Sequence, residues 1–161
     1  RTPVPGSKMV SVQKKFSEKK TEEEGFLLDG EKTGLWVTYH SDDRNNPKVI
    51  AHYIDGKLNG AYMEFTARGQ LEYIAHYKNG VLDGPFTQFK NTRKLKTGNY
   101  QDGKKHGIFL TYFERSDQVQ QEVAFKNDLQ DGYFRYYNEE GKVTLEYIYE
   151  KGEKVSGGMV E

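Results

Sequence analysis

The chain has 161 residues, no Cys, and 24 basic against 24 acidic side chains, so its formal net charge is zero. That length fits one domain, and the cancelled charge removes any electrostatic case for nucleic acid or an anionic surface. Disulfides, Cys-based metal sites and thiol nucleophiles are excluded, and no apolar run approaches the ~20 residues of a membrane-spanning helix.

Residues 1 to 9 read as an extended linker, because Pro3, Pro5 and Gly6 oppose a helix. Val10 to Phe16 alternates in the manner of a short strand. The run from Ser17 to Glu24 is almost wholly charged or polar and reads as a solvated loop. Gly25 to Gly30 looks like the second half of a degenerate first repeat. The expected division is therefore a linker with room for one strand over residues 1–23, a repeat domain over 24–156 and a tail over 157–161. The start at Arg1, without Met and rich in Pro, reads as a processed terminus and favours the bacterial cell envelope, periplasmic or surface, over the cytoplasm.

From there a device recurs. An aromatic precedes Asp-Gly or Asn-Gly; after three intervening residues comes a second Gly, followed by two more aromatics. The first-Gly position falls at Gly30, Gly56, Gly80, Gly103, Asp128 and Gly152, at spacings of 26, 24, 23, 25 and 24 residues. A period of this size marks a repeat architecture. In the copy from Gly56 to Gly80, Gly60 to Phe65 reads as a strand, Thr66 to Gln70 as a turn and Leu71 to Tyr77 as the returning strand. Gly recurs too often for helices. Asp55-Gly56, Asn79-Gly80 and Asp102-Gly103 suit two-residue type I′ turns, which need positive φ at both positions. The predicted fold is all-β: an elongated, single-layer antiparallel sheet of about five consecutive hairpins.

The turns on the other side vary, being long over His40 to Lys48 and short over Asn91 to Lys94, and variable turns are where contact specificity collects. In the returning strands Leu71, Tyr73, Ala75 and Tyr77 share a face, as do Val49, Ala51 and Tyr53. The opposite face carries Ile50, His52 and Ile54 early but Thr97, Asn99, Gln101 and Glu122 later, so it turns polar along the chain. Small residues recur between rings, as Ala51, Ala75 and Gly98, leaving room for a neighbouring ring.

These residues resemble the MORN repeat in its short bacterial variant, the YwqK-like family often labelled as antitoxins. Tyr53-Ile54-Asp55-Gly56-Lys57-Leu58-Asn59-Gly60-Ala61-Tyr62-Met63-Glu64-Phe65 carries the pattern, and Tyr100 to Tyr112 matches it more closely. The likeness covers roughly residues 24 to 156. Asp128 stands for the first Gly, Ser156 for the second in the last copy, and residues 41–47 are inserted. The resemblance implies a hairpin sheet and a scaffold that binds other proteins, with phospholipid binding and neutralisation of a co-encoded toxin as the alternatives it suggests.

Reactive groups give no constellation. His52 and His76 share a slot, but one intervening strand separates them by roughly 9.6 Å, too far for two ligands of one zinc. His40 and His106 are expected in solvent. Ser11, Ser17, Ser41, Ser116 and Ser156 lie in loops or terminal segments, outside any Gly-x-Ser-x-Gly elbow. Gly103 to Gly107 lacks the Gly-Lys-Ser/Thr ending of a phosphate loop, and Asp42-Asp43 and Glu139-Glu140 read as turn residues. The expectation is a protein without enzymatic activity, catalytic residues, metal or cofactor. Its partner is another protein, not nucleic acid, and membrane association comes only through an anchor outside this sequence or through that partner. The expected docking face comprises Trp36, Tyr39, Tyr53, Tyr73, Tyr77, Tyr100, Tyr112, Phe125 and Tyr149, beside the variable turns, with strand addition at the open sheet edges as a second route.

Overall fold

A computed structural model describes residues 1–42 and 44–160; Asp43 of the acidic pair and Glu161 of the expected tail lie outside the described residues. Among the described residues there is no helix, and the strands form antiparallel hairpins in a single layer, as the repeat spacing predicts. The chain divides into two compact units, residues 1–81 and the remainder from Leu82 onward.

In the first unit β1 (Thr2–Pro3), β2 (Met9–Ser17), β3 (Lys20–Leu28), β4 (Glu31–Tyr39), β5 (Pro47–Ile54), β6 (Lys57–Phe65) and β7 (Leu71–Lys78) pair in chain order. The two-residue β8 (Val81–Leu82) stands at the division. Beyond it come β9 (Gly84–Lys90), β10 (Arg93–Gln101), β11 (Lys104–Lys105), β12 (Gly107–Tyr112), β13 (Val119–Lys126), β14 (Leu129–Tyr137), β15 (Val143–Glu150) and β16 (Glu153–Met159). There β10 takes both β11 and β12, and the others pair in sequence.

The turns explain the repeat. Asp29-Gly30, Asp55-Gly56, Asn79-Gly80, Asp102-Gly103, Asn127-Asp128 and Lys151-Gly152 all hold both residues at positive φ, the type I′ requirement. Asp128 keeps this geometry at φ 70° without being Gly, and its Oδ1 accepts from the Lys105 amide at 2.8 Å. Consecutive turns are stitched together. The amide at the first-Gly position donates to the carbonyl two residues past the same position in the copy before: Gly56 to Lys32, Gly80 to Leu58, Gly103 to Leu82, Asp128 to Lys105 and Gly152 to Gln130, at 2.7–3.0 Å.

The second Gly serves a different purpose. Gly60, Gly84 and Gly132 sit at φ 107–117°, and each pairs with an aromatic: Gly60 with Tyr77, Gly84 with Tyr100, Gly132 with Tyr149. Gly34 with Tyr53 and Gly107 with Phe125 continue the series. A ring lies opposite each missing side chain, a known way to cover glycine in a sheet. In the last copy this role passes from the expected position 156 to Gly157, at φ 106°.

Two stretches depart from the sequence reading. The polar run over 17–24 is largely strand, because β2 and β3 set opposite charges and amides across from one another: Lys14 Nζ lies 2.7 Å from Glu22, and Gln13 Nε2 donates to Glu24 at 3.0 Å. Cross-strand complementarity here overrides the polar composition. The expected tail from residue 157 is likewise strand as far as Met159, paired with β15.

Candidate functional site

Alternation fixes what each face carries. In the first unit the register runs Trp36 to Ala51 to Tyr62 to Ala75, large and small in turn. In the second, Phe86 pairs with Gly98, and Phe109, Val123, Phe134 and Tyr147 follow across the strands. Among the described residues the buried side chains are all in these rows: Trp36, Ala51, Ala75, Phe86 and Val123. The rows are thin cores. A Cβ on Gly98 would meet ring carbons of Phe109 and Phe86 at 2.6 Å, and one on Gly25 would run into the Trp36 ring. Trp36 Nε1 donates to the Phe26 carbonyl at 2.9 Å.

Around each row stand partly exposed rings. Tyr62 meets Tyr77 and Tyr73 edge-on, with centroids 5.6 and 6.4 Å apart. Phe86, Tyr100 and Phe109 lie mutually 5.4–5.6 Å apart, and Phe109 contacts Phe125 at 5.1 Å. Phe134 packs on Tyr147 and Tyr149. Of the nine expected docking residues, the structure therefore puts Trp36, Tyr53, Tyr73 and Tyr77 on the ring face of the first unit. Tyr100, Phe125 and Tyr149 share the ring face of the second.

Tyr39 and Tyr112 do not join them. Each is three positions beyond its row residue, an odd step along a strand, and so points to the opposite face. Tyr39 donates to Glu24 at 2.6 Å, and Tyr112 lies 3.4 Å from the Thr97 hydroxyl. The hydrogen bond to the Glu24 carboxylate, with burial second, pushes the Tyr39 hydroxyl up to about 12. Tyr137 in the second unit repeats the arrangement on Glu122 at 2.8 Å, its pKa raised mainly by burial.

The histidines differ from expectation in their surroundings. His40 is half-buried, with Nε2 2.8 Å from the Phe65 carbonyl. His106 is also half-buried beside Gly107; its amide donates to Asn99, and its Nδ1 is enclosed without a hydrogen-bond partner. His52 is exposed and contacts the Asn59 carbonyl at 2.9 Å. Among the described residues no group of three or more His, Asp or Glu is placed to hold a metal ion.

The sequence reading also passed over three lysines. Lys32 Nζ sits 4.0 Å over the Trp36 ring and 5.4 Å from Tyr53, Lys105 Nζ 4.9 Å over Phe125, and Lys154 Nζ 4.2 Å over Tyr147. All three occur two residues after the first-Gly position, a signal visible in the repeat alignment alone. Comparison with known proteins adds no relative: no family model and no curated protein matches the chain.

Proposed function

We propose that this chain is a non-enzymatic protein-binding or scaffolding module of the MORN-like type, docking a protein partner on the ring-bearing faces of its hairpin units. One observation carries the reading: a single layer buries Trp36 and Phe86 in the ring rows but leaves Tyr53, Tyr73, Tyr77, Tyr100, Phe125 and Tyr149 only half-covered. Half-exposed tyrosines supply large rigid contact area with a polar tip, the composition that protein interfaces favour. Their chemistry offers contact rather than bond making. The test is affinity capture from the native source with wild-type protein and with Tyr53→Ala, Tyr77→Ala and Tyr100→Ala, each shown to be folded. Loss of a specific captured protein is the expected result. Capture unchanged in all three, or salt-sensitive sedimentation with anionic liposomes in place of capture, would remove the reading.

A further inference from the structure

The ring face of the first unit already holds a cation. Lys32 Nζ lies over the Trp36 and Tyr53 rings and 2.9 Å from Glu23 Oε2. Two rings and a carboxylate thus accept a primary ammonium, the aromatic-cage combination in which ring quadrupoles and a fixed negative charge act together. Lys32 stands two residues past Gly30; in the next copy the same slot is Leu58, which has no charge to seat.

That next copy brings two rings and a carboxylate together at other positions on the same face, since the counterparts of Tyr53 and Glu23 there are Tyr77 and Val49. Glu64 lies directly across from Tyr73, and it follows Tyr62 by two residues on the same face. The two rings are 6.4 Å apart at 70°, and the Tyr62 hydroxyl donates to Glu64 Oε1 at 2.7 Å. Burial, and then this bond to a carboxylate, raise the Tyr62 pKa. Among the described residues Glu64 has no ion-pair partner. A concavity of about 340 Å³ opens beside it, lined also by His40, Lys48 and Glu72.

We propose that Tyr62, Tyr73 and Glu64 form a seat for a lysine side chain presented by the partner protein. This rests on the docking reading above and names the group the ring face recognises. Lysine is the occupant because two rings and a carboxylate hold one in the neighbouring copy, and because Glu64 and Glu72 together outweigh the single charge of Lys48 in the concavity.

The probe is N-acetyl-lysine methylamide, with its Nε-acetylated form as the neutral control, followed through the ring resonances of Tyr62 and Tyr73 in the full chain. Saturable shifts are expected with the ammonium form only. Glu64→Gln, which keeps an acceptor for Tyr62, should weaken binding about ten-fold. A second variant uses the other seat: Lys32→Ala empties it, and the same ligand should then perturb the fluorescence of Trp36, the sole Trp, while leaving wild-type emission unchanged. Absence of saturable shifts, equal binding of the neutral form, or indifference to Glu64→Gln would overturn the proposal. If partner capture still depends on Tyr53, Tyr77 and Tyr100 in that event, docking stands and only the lysine seat falls; if capture fails as well, both fall.

Discussion

The two units build the same ring face and opposite faces of different chemistry. In the first unit the register behind the rings runs Val37, Ile50, Met63, Ile74 from β4 to β7, apolar over that span, with Leu35 beside it 55% exposed. In the second the equivalent positions are Leu110, Glu122, Arg135 and Glu146. Arg135 Nε lies 2.7 Å from Glu146, its Nη1 3.8 Å from Glu122, and its guanidinium stacks 3.8 Å over Tyr133. The contrast separates what the repeat requires from what it tolerates. Turn stitching and ring packing recur in every copy because strands can stack only through them, whereas the other face needs nothing beyond compatible cross-strand pairs.

The largest expected effect comes from the shared face. Gly98→Ala forces a methyl against two rings in a row with no slack, and should cost about 2–3 kcal/mol. In a chain of this length that is a fall in Tm of roughly 5–10 °C. Gly158→Ala is the control, since nothing lies within 4 Å of a Cβ there, and it should melt like wild type. Equal melting of the two variants would refute the ring row as the thin core.

On the divergent face the effect is smaller. Arg135→Met leaves Glu122 and Glu146 facing each other across the gap, with side-chain exposures of 20% and 33%. Partial burial puts the cost between that of a surface pair and a buried one, about 1–2 kcal/mol by urea denaturation, and lower in high salt. Grafting the ladder into the first unit, as Ile50→Glu with Met63→Arg and Ile74→Glu, should keep the fold and its ring-face spectrum. Loss of the fold would show that the apolar register there is required after all.

Alkaline pH probes both regions through their tyrosines. Tyr39 in the first unit and Tyr137 in the second have hydroxyls that donate to carboxylates, and both titrate above the usual value of 10. A pKa raised on folding gives stability that is complete below the unfolded value and lost as pH climbs through the folded one. Melting temperature should hold to about pH 10 and fall between there and about 12, in step with tyrosinate absorbance. Tyr39→Phe should flatten part of that decline. A decline beginning near neutrality would assign it to other groups.

Much of this was legible in the sequence, for reasons particular residues show. Asp55-Gly56 and its counterparts announce their turns because few dipeptides tolerate two positive φ values. Ala51, Ala75 and Gly98 announce ring packing because they break a run of large residues. Tyr39 and Tyr112 read as further members of the stripe unless the alternation is counted through the row residue, which sends an odd step of three to the opposite face. The strand over residues 20–24 was hidden because its stabilising partners, Gln13 and Lys14, lie on another strand. Glu64 and Arg135 carry no signal of their own in the sequence; only the register puts Tyr73 beside one and two glutamates beside the other.

The smallest effect should come from the pair that most resembles a stabilising contact by distance alone. Lys90 Nζ and Glu114 Oε1 are 2.7 Å apart, as close as Arg135 and Glu146, yet their side chains are 52% and 63% exposed. The hydrogen bond from Lys90 holds the Glu114 carboxyl below its ordinary value, but water screens the pair and both side chains surrender rotamer freedom to form it. Lys90→Ala should therefore leave Tm unchanged within experimental error at any ionic strength, while Arg135→Met responds to salt. A loss at Lys90 matching that at Arg135 would mean that separation, rather than burial, sets the strength of ion pairs on this sheet.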